Sequence, residues 1–211
     1  DVIRAIKAGE SDAAAEAKLR DYVSKEPGNT DLQFALADYY LSNRDNANAK
    51  SVLDALAKNN DQDIALRAKN KITTILFADG KKDEAQLLID EILASDSRNT
   101  EGLLRRAALQ IDAEEFDQAI VNLRTVLDNS PDNYQAMILM SAAFERQDNF
   151  NFAQAEMAKA FDASKKSAQV AHQFARFLLR RQNIARAEEV LEDSLAVNPG
   201  DVNNLRLLAS I

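Results

Sequence analysis

His172, Arg176 and Arg180 recur at intervals of four, the spacing that stacks side chains along one face of a helix. A strip of this kind suits a carboxylate, which cationic donors hold by charge-assisted hydrogen bonds. Residues for covalent or metal chemistry are scarce. The chain has no cysteine and one histidine, which leaves out thiol catalysis and multi-histidine metal sites. Its five glycines are scattered and build no phosphate-cradling loop. The stretch 128–133 superficially resembles a calcium loop, but it contains Pro131 and lacks the central Gly and the closing Glu. It reads as a turn. Asp112, Glu114, Glu115 and Asp117 read as a solvated face or a helix start rather than an acid/base pair. These residues predict no enzyme, no cofactor and no metal.

The elements that position such a strip must be helices. Among 211 residues there are only three prolines and no tryptophan, aromatics make up 6% and hydrophobic residues 46%. An Ala/Leu/Ile-rich core of this kind suits helix-on-helix packing better than a β-sandwich. The formal net charge of -8 argues against nucleic acid as a partner, because phosphate binding calls for a basic stripe. No apolar run approaches the roughly 18 to 20 residues of a membrane span. Met140 and Met157 sit at registers expected to be buried, whereas Met137 reads equally as core or as adaptable surface.

The helices are organised by repetition. Ala85, Ala119, Ala153 and Ala187 are spaced by 34, as are Thr73, Ala107, Ser141, Ala175 and Ala209. Ala49 and Ala37 extend the two series backwards with a step of 36. Bulky apolar residues follow in phase: Ile89, Leu123, Met157 and Leu191, then Leu93, Leu127, Phe161 and Leu195. Small residues belong where two antiparallel helices cross, and the apolar residues at i+4 and i+8 make the buried stripe of the second helix. Pro27, Pro131 and Pro199 mark turns that close repeats. One helix pair cannot bury its apolar face alone, so neighbouring pairs must stack.

A 34-residue helix-turn-helix unit with this pattern resembles the tetratricopeptide repeat (TPR) family over essentially the whole chain. The resemblance implies an all-α, right-handed solenoid of antiparallel helix pairs in one array. Its full repeats are 30–65, 66–99, 100–133, 134–167 and 168–201, with partial repeats at 1–29 and 202–211. In 100–133 the family's small, aromatic and proline positions hold Ala107, Phe116, Ala119 and Pro131. Ser97 and Lys165 stand where proline is usual, and the polar tract 58–63 reads as a lengthened loop. Because both ends fall inside half-finished repeats, the chain is expected to be an excised fragment.

In this family the first helices line a concave groove. Carried over, the groove positions include Leu104, Arg105, Ile138, Leu139, Arg146, His172, Arg176 and Arg180, an apolar middle beside a basic end. They imply a protein or peptide partner with an acidic segment. The alternative for the basic end is ion pairing with neighbouring helices or burial under the next repeat. The Lys/Asn clamp by which chaperone-binding members hold a terminal carboxylate is not reproduced. The segments 123–127, 175–179 and 186–192 are similar to TPR proteins of Gram-negative, especially alphaproteobacterial, envelopes. That similarity implies the periplasm or cell envelope, with the cytoplasm as alternative. The expected function is an interaction scaffold within a larger bacterial assembly. A second expectation is the substrate-recruiting region of an enzyme whose catalytic domain lies elsewhere. Self-association through uncapped repeat ends is a third.

Overall fold

The computed structural model describes residues 12–211, so the first eleven residues of the opening partial repeat lie outside the described residues. Among the described residues there are twelve helices and no strand. The chain divides into two compact units between Ser97 and Arg98. The first unit contains α1 (Asp12–Lys25), α2 (Thr30–Ser42), α3 (Asn46–Leu56), α4 (Gln62–Ala78) and α5 (Lys82–Ser95). The second contains α6 (Thr100–Asp112), α7 (Phe116–Asn129), α8 (Tyr134–Arg146), α9 (Phe150–Ala163), α10 (Ala168–Arg180), α11 (Ile184–Val197) and α12 (Val202–Leu208). Within each unit every helix packs on the next, and in the second unit α6 also meets α8 and α10 meets α12.

The small-residue registers are the crossing points. Ala37, Ala49, Thr73, Ala85, Ala107, Ala119, Ala153, Ala175 and Ala187 are all fully buried, and Ser141 is nearly so. Ser141 also satisfies its hydroxyl there, donating to the Ala153 carbonyl of the partner helix at 2.8 Å. Ala209 departs from the pattern: it is the exposed C-cap of α12. Ile89, Leu123, Met157 and Leu191 are buried, but in the following series Leu127 and Leu195 are half-buried beside buried Leu93 and Phe161. All three methionines are buried.

The turn inside each repeat carries a backbone signature. Gly80, Glu114, Asp148 and Gln182 all have φ between 57° and 74° and are spaced by 34, with Arg44 (φ 59°) preceding them. Each lies just past a first helix, and the next residue's N–H reaches back to a carbonyl in that helix's last turn. Examples are Glu115 to Gln110 at 2.8 Å and Asn183 to Leu178 at 3.0 Å. This bond pattern closes the helix end through a left-handed residue.

The 58–63 tract is only in part the expected longer loop: residues 57–61 join α3 to α4, five where 96–99 and 130–133 make four. Asp61 caps α4, accepting from Asp63 and Ile64 N–H groups, so the helix starts inside the tract. The two additional residues are spread over the repeat, since α4 has 17 residues against 13 in α6 while α3 has 11 against 14 in α7.

Candidate functional site

The expected groove residues lie on α6, α8 and α10, and one capping device sets the register of all three. Asn99, Asn133 and Ser167 accept from the N–H groups of Gly102, Ala136 and Val170 at 3.0, 2.9 and 3.4 Å. A short polar side chain at this point satisfies a backbone donor that the first turn leaves open. Equivalent residues of successive first helices therefore start from the same phase.

A surface depression of about 300 Å³ results. Leu104, Arg105 and Ala108 of α6 line it with Gln135, Ile138 and Leu139 of α8 and Gln173 of α10. The structure thus brings together four of the eight candidate residues: Leu104, Arg105, Ile138 and Leu139. Gln135 and Gln173 are exposed, and no other described residue occupies their amide groups. Arg146, His172, Arg176 and Arg180 lie outside the depression.

Electrostatics separates the basic residues. Arg105 pairs with Glu101 one turn earlier on its own helix. Arg146 donates to the Ile111 carbonyl at 2.9 Å, meets Glu114 at 3.3 Å and lies over the Phe116 ring. Arg180 reaches both oxygens of Glu145 at 2.9 and 3.0 Å. His172 Nδ1 lies 3.1 Å from Oδ1 of Asn204, a buried residue of α12 whose Nδ2 donates to the Ala168 carbonyl at 3.0 Å. Since an amide oxygen only accepts, His172 donates from Nδ1 and fastens α10 to α12. Arg176 is exposed and pairs with no carboxylate among the described residues. The cationic strip read from spacing is therefore one open guanidinium among groups that already have partners.

A cleft on the other side of α8 was not anticipated. Met137, Met140 and Phe144 floor it between α7 and α9, and its volume is about 840 Å³. At 100° per residue these three point away from Gln135, Ile138 and Leu139. That double periodicity was the available signal. Among the described residues no group of three or more His, Cys, Asp or Glu is placed to hold a metal ion, and no helix is long and apolar enough to cross a membrane.

No family model matches the chain, and no curated protein does. Solved structures do resemble it. A thermophilic TPR protein of Thermus thermophilus aligns with a TM-score of 0.70 at 14% identity, covering 86% of this chain and 97% of its own. MamA from Desulfovibrio magneticus RS-1 aligns at 0.62 and 16% identity, over 82% and 97% respectively. YrrB, described as a TPR protein with an unusual peptide-binding site, aligns at 0.54 and 12% identity, over 90% and 96%. The likeness shows the fold: the chain is an all-α repeat structure of the TPR type.

Proposed function

We propose that the chain is a protein-interaction module that takes an extended peptide segment of a partner on the face formed by α6, α8 and α10. The observation that carries this reading is the depression of about 300 Å³. Its apolar wall is Leu104, Ile138 and Leu139, and the amides of Gln135 and Gln173 stand beside it. An apolar patch with a few convergent polar groups is the usual form of a recognition site. Amides that both donate and accept match a peptide main chain, which presents both functions. Arg176 follows Gln173 by one turn on α10 and supplies the contact for an acidic residue at one end of the segment. The peptide-binding site in the description of YrrB supports the same use of the fold.

The test compares the parent chain with a Gln173→Ala/Arg176→Glu variant as bait in lysate of the cells that make the protein. Both substituted residues are exposed, so helicity and thermal unfolding are expected to be unchanged. A discrete partner that is captured by the parent and lost by the variant supports the reading. The same partner captured equally by both removes this face from the function.

A further inference from the structure

The face formed by α6, α8 and α10 changes character from one helix to the next, and a step of 34 residues sets equivalent registers side by side. On α6 these registers hold Glu101, Leu104, Arg105 and Ala108. On α8 they hold Gln135, Ile138, Leu139 and Ala142, and on α10 Gln169, His172, Gln173 and Arg176. The two charges of the α6 set neutralise each other, since Arg105 pairs with Glu101. The α8 set has no charge. On α10 the register that lines the depression as Ala108 has become an arginine.

The carboxylates of this face leave that arginine open. Neither α10 nor α12, which packs on it, contains an Asp or Glu. Glu145 of α8 holds Arg180 with both oxygens, and Glu101 lies at the α6 edge of the depression, on Arg105. His172 is engaged by Asn204. Arg176 is exposed and has no carboxylate among the described residues. The face thus runs from an apolar pit between α6 and α8 to one available cation on α10.

We infer that this face reads its segment in one register, with a bulky apolar residue in the pit and an Asp or Glu at a fixed distance from it, on Arg176. The inference rests on the extended-peptide reading above and adds the spacing. Helices packed side by side lie about 8 to 10 Å apart, and the step from the pit to α10 is roughly one to one and a half such intervals. An extended chain advances about 3.3 Å per residue, so the anchor and the acid are about three to four residues apart. Between them the exposed amides of Gln135, Gln169 and Gln173 meet the main chain and ask nothing of its side chains. The guanidinium selects the acid by charge-assisted hydrogen bonds. Sequence is therefore read at two points only.

A displayed library of random peptides of about 12 residues, roughly 40 Å when extended, is panned on the whole chain. The enriched peptides are expected to share a bulky apolar residue and an Asp or Glu at one spacing. As fluorescein-labelled synthetic peptides they should bind Arg176→Glu at least about tenfold more weakly than the parent, since the reversal sets like charges together. The same peptides with lysine in place of the acid should show the opposite preference, binding Arg176→Glu better than the parent. Arg176 is exposed, so this variant keeps the test decisive if Leu139→Ser, which removes part of the pit, melts early. Peptides that lose affinity for Leu139→Ser but carry no acid, carry it at no fixed spacing, or bind Arg176→Glu as they bind the parent overturn the register and leave the extended-peptide reading standing. Failure of any peptide to enrich, or equal affinity for the parent and both variants, overturns the two together.

Discussion

Arg180 holds both carboxylate oxygens of Glu145, at 2.9 and 3.0 Å, across 35 residues of sequence. Arg146 makes the equivalent contact one repeat earlier, reaching Glu114 and the Ile111 carbonyl. Both arginines sit at the last turn of a first helix, and both are directed to the preceding repeat. The guanidinium groups at this register staple neighbouring repeats, and the charge left for a ligand on α10 is that of Arg176.

Removing the Arg180 staple should therefore cost little and leave partner capture intact. An ion pair at this exposure contributes about 0 to 1 kcal/mol. Urea unfolding of Arg180→Ala is expected to fall within that range of the parent, with the difference shrinking in about 1 M salt as screening sets in. Capture by Arg180→Ala should match the parent, while Gln173→Ala/Arg176→Glu loses it. An Arg180→Ala chain of parental stability that captures nothing would move the guanidinium into the ligand site.

Ser141 is a crossing-point residue whose hydroxyl donates across the helix pair, to Ala153. Ser141→Ala keeps the close approach and loses one net hydrogen bond, worth about 1 kcal/mol. Ser141→Leu keeps no close approach and overpacks the crossing, which costs roughly 1 to 3 kcal/mol or more. Denaturant midpoints should fall in the order parent, Ala, Leu. A leucine variant as stable as the alanine variant would show that the helix pair tolerates separation at this point.

The helix pairs were legible because burial imposes side-chain size at fixed intervals, as Ala85, Ala119, Ala153 and Ala187 show. The turns inside the repeats were less so, because a left-handed residue favours glycine, asparagine or aspartate without requiring them. Of the series Gly80, Glu114, Asp148 and Gln182, the first announces itself and the third does so weakly. The apolar half of the candidate site, Leu104, Ile138 and Leu139, came from groove positions carried over by the TPR resemblance. The fate of its basic half did not, since Glu145, Glu114 and Asn204 reach Arg180, Arg146 and His172 only once repeats are stacked. Charge spacing on one helix says nothing about what the next helix brings. The α7/α9 cleft was hidden for a related reason: Met140 occupies a core register, Met137 reads equally as core or surface, and no single repeat shows that Phe152 fails to cover them.

Acid sensitivity has a traceable contributor in Asp45, which caps α3 by accepting from the Asn48 N–H at 3.1 Å while the Asn48 side chain donates to its other oxygen at 2.7 Å. These two bonds, the side-chain one foremost, hold the carboxyl below its ordinary value, near about 3.9. A depressed carboxylate pKa contributes stability above the unfolded value and loses it as pH falls through the folded value. Asp45→Asn keeps a capping oxygen but no titration. As pH falls below about 4 its unfolding free energy should decline less than the parent's. Parallel pH profiles for the two chains would sever the cap from the acid limb.

The two positions where proline is missing should respond oppositely to its introduction. At Ser97 the preceding residue, Asp96, is extended (φ -140°, ψ 95°), as is Ser130 before Pro131 (φ -142°, ψ 83°). An extended residue is what a following proline requires. Ser97→Pro should therefore be neutral, or stabilising by about 0.4 to 1 kcal/mol through the unfolded chain. At Lys165 the backbone is left-handed, with φ 55° followed by Lys166 at 57°, and the Lys166 carbonyl accepts from Ser194 and Asn198 at the end of the α11 segment. A pyrrolidine ring holds φ near about -65°, so Lys165→Pro must rebuild a turn that the next repeat grips. Thermal unfolding should show a clear loss, on the order of 3 kcal/mol, although proline is the residue TPR repeats favour at this register. Equal tolerance at both sites would mean that the paired lysine turn is one of several the chain adopts.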